Sequence, residues 1–195
     1  MPRRPRHAAV LAFALACGAE AARAAQWDFT VLLDGEPIGS HRFVVEGTRQ
    51  RSVESTALYQ VKVLGWTAFR YRHRASERWT GDCLASLAAR TDDNCRVSEV
   101  ERSFEPAPCI MSFAYWNPAI AGQTRLFDPG TGVLHEVRLT RLPPTTVPVR
   151  GRPVAARGLR IAGLPQAIDV WYDEDSWIGL DTTVRGNRRL SYRLP

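Results

Sequence analysis

The sequence predicts an all-β protein: a single antiparallel meander of about ten strands, forming a strongly curved sheet or open barrel. Three observations predict it. Apolar residues recur at every second position through most of residues 25–195, the spacing that sends alternate side chains to opposite faces of a strand. The runs are punctuated by short clusters of Asp, Asn, Gly and Pro, the residues of tight turns. Helical periodicity is almost absent. Short connections make successive strands antiparallel neighbours, and so wide a sheet curls or closes instead of lying flat.

Residues 1–24 are read apart from this pattern. "MPRRPRH" is basic, "AAVLAFALA" is an apolar run too short to span a bilayer, and Ala22-Arg23-Ala24 fits a small-residue cleavage site. That order is the order of a secretory signal peptide. The expectation is an exported protein, periplasmic in a Gram-negative bacterium, with residues 25–195 as a single β domain. Cys17 offers a lipoprotein signal as the weaker alternative, since Ala14 stands where such a signal prefers Leu. No later segment has the length of apolar sequence that a spanning helix needs.

The strands follow in order. "WDFTVLLDGEPIGSHRFVVEG" reads as a strand from Trp27 to Leu33, a turn at Asp34-Gly35 and a return strand from Ser40 to Glu46. In "SVESTALYQVKVL", Val53, Ser55, Ala57, Tyr59, Val61 and Val63 share a face. In "TAFRYRHRASERWT", Phe69, Tyr71, His73, Ala75, Glu77 and Trp79 share one face, and Arg70, Arg72, Arg74, Ser76 and Arg78 the other. The next segment folds back around Asp92-Asp93-Asn94. Residues 105–123 break the pattern at Pro106, Pro108 and Pro118, and an irregular plug with a turn or two of helix is expected near 106–118. Strands then resume in "QTRLF", "VLHEVRLTRL", "TTVPVRG", "PVAARGLRIAG", "AIDVWYDED", "WIGLDTTVRG" and "RRLSYRL".

Charge excludes one class of partner. Without residues 1–24 the chain holds 22 basic and 19 acidic residues, and the net charge falls from +6 to +3. Lys62 is the only lysine, which points to compositional bias and not to phosphate contacts, so no nucleic acid is expected. No nucleophile elbow, zinc-protease helix, P-loop or dinucleotide fingerprint occurs, and no cofactor or metal is implied. The carboxylates Asp169, Asp173, Glu174 and Asp175 read as a hairpin turn and not as a calcium loop. The arginine stripe reads as a solvated strand face with acidic cross-strand neighbours, an anionic-lipid surface being the alternative.

Cysteines Cys83, Cys95 and Cys109 meet an oxidising compartment after export. Around the Asp92–Asn94 turn, a residue near 83 faces one near 103 or 104, and Cys109 lies a bend away. Cys95 sits seven strand positions from Cys83, ~23 Å at the usual rise, beyond the ~7 Å a bridge allows. A Cys83–Cys109 disulfide is therefore predicted, with Cys95 free or intermolecular.

The stretches "WDFTVLLDGEPIGSHRF", "ERWTGDCLASLAARTDDN", "SFAYWNP", "DPGTG" and "DVWYDEDSWIGL" together resemble a family of exported bacterial proteins of unknown function. More loosely, the chain is similar to periplasmic lipoprotein carriers, whose curved sheet holds acyl chains. That resemblance implies a fold, and no catalytic residues. The family's pattern implies Gly after Asn94, where this chain has Cys95.

The candidate site is the apolar face of the sheet. The expected function is non-enzymatic binding of an apolar or lipid-like ligand by Phe69, Tyr71, His73, Glu77 and Trp79, with His41 beside them and Phe113, Tyr115 and Trp116 as lid or plug. The alternatives are an enzyme using His41, His73 and Glu77, and an envelope interaction module without a ligand. His73 and Glu77 are four positions apart, about 13 Å of strand rise, so each needs partners from other strands.

Overall fold

The computed structural model describes residues 24–104 and 108–195; the signal-peptide reading and Cys17 fall outside the described residues. Six strands come first: β1 (Ala25–Leu33), β2 (Glu36–Gly47), β3 (Gln50–Val63), β4 (Trp66–Thr80), β5 (Cys83–Asp93) and β6 (Arg96–Ser103). A segment with three short strands follows: β7 (Met111–Ser112), β8 (Arg125–Phe127) and β9 (Leu134–Glu136). The rest is β10 (Arg138–Val149), β11 (Arg152–Ala162), β12 (Ile168–Asp173), β13 (Ser176–Val184) and β14 (Arg188–Arg193).

Eleven strands make one antiparallel sheet in the order β10-β11-β12-β13-β14-β1-β2-β3-β4-β5-β6. Two consecutive meanders thus meet where β1 pairs with β14, Thr30 opposite Arg193 and Leu33 opposite Leu190. β7, β8 and β9 form a separate small sheet. The main sheet is not closed. Its rims are β6, whose exposed residues include Arg96, Glu99, Glu101 and Arg102, and β10, which carries Pro143, Pro144 and Pro148. Charge and missing N–H donors both discourage pairing with another strand.

The sheet is strongly curved. β3 and β14 are three strand spacings apart, about 14 Å on a flat sheet. Yet the Tyr59 and Tyr192 hydroxyls hydrogen-bond to each other across the inner face. One apolar core runs along that face, from Phe29 and Val31 on β1 to Trp79 on β4 and Ile161 and Val170 on β11 and β12. Trp177, fully buried on β13, lies 4.4 Å from Phe29 and 5.0 Å from Phe43, ring centre to ring centre.

Four hairpins turn through two residues that both have positive φ: Asp34-Gly35, Leu64-Gly65, Asn94-Cys95 and Arg150-Gly151. This matches the twist of the flanking strands. Only the third lacks glycine in its second place; there Cys95 has φ 73°. The turn is therefore Asn94-Cys95 and not Asp92–Asn94, which corrects the register: Ser103 faces Ser86, not residue 83. The disulfide nevertheless joins Cys83 to Cys109, with Cα atoms 4.9 Å apart, because Ile110 lies alongside the start of β5, its carbonyl accepting the Leu84 N–H. Cys95 is exposed and unbridged.

The irregular segment lies against the inner face and supplies the buried Met111, Ile120, Leu126 and Phe127. Its helical element is a 3₁₀ turn at Pro118–Gly122, downstream of the expected place. Pro118 suits a first helical position, and Asn117 caps it, its Oδ1 accepting the Ala119 N–H at 3.1 Å. Nδ2 of the same side chain donates to Asp82 at 3.0 Å and fastens the turn to the β4–β5 connection.

A second, smaller apolar cluster joins Val147, Ala156 and Ile178. β12 pairs with β11 only over residues 157–161, so the far half of the β10–β11 hairpin is free to leave the sheet. It bends at a bulge between Leu142 and Thr145, opposite Gly158. A Cβ on Gly158 would come within 2.5 Å of the Trp171 ring and 2.8 Å of Leu142, so the bend requires glycine. Ile178 and Trp177 are consecutive on β13 and both buried, one in each cluster.

Candidate functional site

Alternation fixes which side chains face inward, and register fixes who meets whom. Across β2, β3, β4 and β5, one inward row reads His41, Ala57, His73, Thr91 and the next Phe43, Ser55, Ala75, Ala89. Small residues thus fill the second row from Ser55 to Ala89, flanked by His41, Phe43 and His73. That difference in size leaves a hollow. It is a cleft of about 570 Å³ floored by Ser55 and Ala75, and roofed by the irregular segment through Ser112 to Trp116 and the 128–133 turn.

The sequence-predicted residues divide accordingly. His41, Tyr71, His73, Glu77, Phe113, Tyr115 and Trp116 line the cleft; Phe69 and Trp79 do not. Phe69 lies too far along the hairpin, beyond Tyr71, where β5 pairing ends. Trp79 is sealed beneath the plug, edge-on to Trp116 at 5.3 Å. Trp116 itself is 7% exposed and has the Arg51 guanidinium 4.8 Å above its ring. It is chiefly a core residue that shows one edge to the cleft. Tyr115 packs 5.3 Å from Trp177, and its carbonyl accepts the Tyr172 hydroxyl at 2.9 Å.

The polar groups form three separate stations. At one, His41 sits between strands: its Nε2 is 2.8 Å from Ser55 Oγ, and its Nδ1 is 3.1 Å from the Tyr192 hydroxyl and 3.2 Å from that of Tyr59. Burial, helped by repulsion from His73, pushes the His41 pKa down to about 3, so the ring is neutral. Burial likewise raises the Tyr192 phenol to about 12 and holds Tyr59 protonated. At the second station, His73 Nδ1 lies 2.8 Å from Thr91 Oγ1, and burial lowers its pKa against a weaker opposing pull from Asp128. At the third, Glu77 accepts the Trp79 indole N–H at 2.8 Å and a bond from the Ser112 hydroxyl. Burial outweighs both and pushes the Glu77 carboxyl up to about 7.

His41, His73 and Glu77 therefore share a cavity without touching one another. Asp128, at the rim, spends its carboxylate on its own turn, accepting the Gly130 N–H at 2.8 Å and the Thr131 hydroxyl at 2.7 Å. His135 Nε2 is 3.9 Å from it. Among the described residues no group of His, Cys, Asp and Glu is arranged to hold a metal. Asp169 of the acidic run is engaged by Arg160 through two 2.7 Å bonds.

The family described as "Domain of unknown function (DUF6134)" matches residues 29–194. The chain belongs to this family. Among curated proteins none matches it in sequence. A solved structure similar to this DUF6134 member is a beta-barrel-like protein of Domain of Unknown Function DUF1849 from Brucella abortus. The two are 10% identical, the match covers 90% of this chain and 96% of that one, and the TM-score is 0.50. At that identity the likeness is one of fold, and it agrees with a wide antiparallel sheet curled toward a barrel.

Sequence reasoning placed Tyr59 and Ser55 on the inward face but did not count them, Tyr192, Thr91, Ser112 or Asp128 as site residues. Tyr59 and Ser55 were open to discovery from the alternation that marks Tyr71 and His73. Tyr192 was not, because its place over β3 depends on curvature.

Proposed function

We propose that the cleft binds a small, mostly apolar, uncharged amphiphile, and that the protein is an exported, non-enzymatic carrier or sensor of that molecule in the periplasm. The observation that carries this reading is the hollow itself. A volume of about 570 Å³ lies within the usual range for small-ligand sites, and so does a mainly apolar lining with a few placed polar groups. Small side chains at the centre of the floor keep it open.

The lining also narrows the ligand. No Lys or Arg lines the cleft, while Glu77 and Asp128 do. A fatty-acid carboxylate or a phosphate head would meet no counter-charge and would lie beside acids. Neutral His41 and His73, the tyrosine hydroxyls and Ser55 suit hydroxyl, carbonyl or ester groups, which both donate and accept. The polar groups bond to separate partners, which supports binding over catalysis. The apolar run at the start of the sequence supports export, and the Cys83–Cys109 disulfide fits an oxidising compartment.

The test is native mass spectrometry of the purified protein, followed by titration with a fluorescent monoacylglycerol and the matching fatty acid. The expected result is a co-purifying neutral lipid, or saturable binding of the ester and much weaker binding of the acid. Binding of neither probe, with nothing co-purifying, would overturn the reading. Ala75→Leu, which fills the floor, should abolish binding while the protein stays folded.

A further inference from the structure

The two longest strands, β3 and β4, outrun their neighbours. β2 pairs with β3 only as far as Gly39 opposite Tyr59, and β5 with β4 only as far as Tyr71 opposite Asp93. One further bond, from Asn94 N–H to the Arg70 carbonyl, ends the lateral support. Residues 61–69 therefore project from the sheet as an unflanked two-stranded hairpin. At its tip Leu64 is 95% exposed and Trp66 81% exposed.

The fold does not account for these two residues. Leu64 has φ 50°, a conformation that favours Asn, Asp or Gly and disfavours a branched apolar side chain. Polar residues there would suit both the turn and the water, and neither side chain joins either apolar cluster. The surrounding charge is equally one-sided. Between Glu54 and Glu77 the sequence has no acidic residue but has Lys62, Arg70, Arg72 and Arg74. The acidic cross-strand neighbours expected for this stripe are mostly missing. Arg70 pairs with Asp92 at 3.1 Å, but Arg74 stands opposite Thr56 and Arg90. Among the described residues Lys62, Arg72 and Arg74 make no ion pair. Arg72 lies between Leu58, itself half exposed, and Asp92, the carboxylate that Arg70 engages.

We propose that this hairpin docks on the surface of an anionic lipid bilayer, with Leu64 and Trp66 entering the boundary between headgroups and acyl chains. An indole is suited to that boundary because it is apolar in body and polar at its N–H. Lys62 is two residues from the tip and sits at headgroup level; Arg72 and, farther back, Arg74 add attraction as the hairpin leans onto the surface. Register puts Lys62 and Thr67 on the outer face and Phe69 and Trp66 on the cleft side. A docked hairpin would thus turn an apolar track from the bilayer toward Tyr71 at the cleft. The proposal does not rest on the cleft being filled.

The experiment is flotation of the purified protein with phosphatidylcholine vesicles, with and without phosphatidylglycerol. Wild type is compared with Leu64→Ser/Trp66→Ser and with Lys62→Glu/Arg72→Glu in the same background, so that residues 1–24, if retained, contribute equally. Wild type should bind the phosphatidylglycerol vesicles, and added salt should weaken that binding. Removing the two apolar side chains should weaken it roughly tenfold or more. The charge-reversed variant should lose the preference for phosphatidylglycerol. Urea midpoints of both variants should match wild type, because the tip lies outside the core. Absence of wild-type binding, or equal binding by the serine variant, would overturn the proposal. So would a tip-dependent dimer that ignores vesicles, which would make the occupant a second copy of the chain. Loss of vesicle binding with intact monoacylglycerol binding would separate this site from the cleft.

Discussion

Replacing Glu77 by Gln should make the protein more stable, and by an amount that depends on pH. Glu77 faces inward between Val53 and Leu87, is 7% exposed, and packs against the Trp79 indole and the Ser112 hydroxyl. Its folded-state carboxyl titrates at about 7 instead of 4.5. Below pH 4.5 it is protonated in both folded and unfolded chains and costs nothing. As the pH rises toward 7 the unfolded chain gives up this proton and the folded one keeps it, so stability falls. Above 7 the penalty levels off at about 3 kcal/mol. Gln keeps the acceptor for Trp79 and gains a donor for Ser112 without a charge. The advantage of Glu77→Gln over wild type should therefore grow by about 3 kcal/mol between pH 4.5 and 8. The assay is urea unfolding of both proteins across that range. His41 and His73, held neutral by burial, act in the opposite sense: the stability they contribute is lost as the pH falls below the ordinary histidine value. They are common to both proteins and cancel in the difference. A difference that stays constant with pH would refute the reasoning, since it would mean that water reaches Glu77 and lets it ionise freely.

Cys95→Gly should raise stability by about 1 kcal/mol, because the other three turns of this type have glycine in that place; a higher urea midpoint with an unchanged slope is the check. Replacing both Cys83 and Cys109 by Ser opens a link between residues 26 apart and should cost about 3 kcal/mol, read in the same assay. Trp116→Ala should lose roughly 3–5 kcal/mol of stability, the cost of emptying a core aromatic site; a mutant as stable as wild type but poor in ligand binding would show that Trp116 serves the cleft and not the core.

The first six strands were legible because each has one buried and one wet face. His73, Glu77 and Trp79 on β4 are buried while Arg72, Arg74 and Arg78 are exposed, as simple alternation requires. Alternation names a face but not the residues that meet there. Trp79 shares the face of Tyr71, yet it ends in the core because the irregular segment covers that end of the strand. The meeting of Tyr59 with Tyr192, 133 residues apart, depends on curvature and on β14 lying beside β1. The fold-back of β10–β11 was hidden for another reason. Its signals are a glycine at 158 and a Pro-Pro bulge, and these read equally well as a loop. Likewise Asn94-Cys95 does not look like a hairpin turn until backbone angles show Cys95 standing where glycine does elsewhere.

The junction of the two meanders has a consequence for how the chain reaches this state. Of the described strands β1 is made first and β14 last, and they are neighbours near the centre of the sheet. During synthesis β1–β6 can pair strand by strand, but the open side of β1 stays bare until residues 188–193 arrive. Closing so long a span is entropically the slowest kind of pairing. The finished sheet protects its rims with proline and charge, but an unfinished one bears an unprotected edge at its future centre. Loss of the last few residues would leave that edge permanently open, and β13 with it, so a short truncation here should yield chains that pair with one another instead of with themselves.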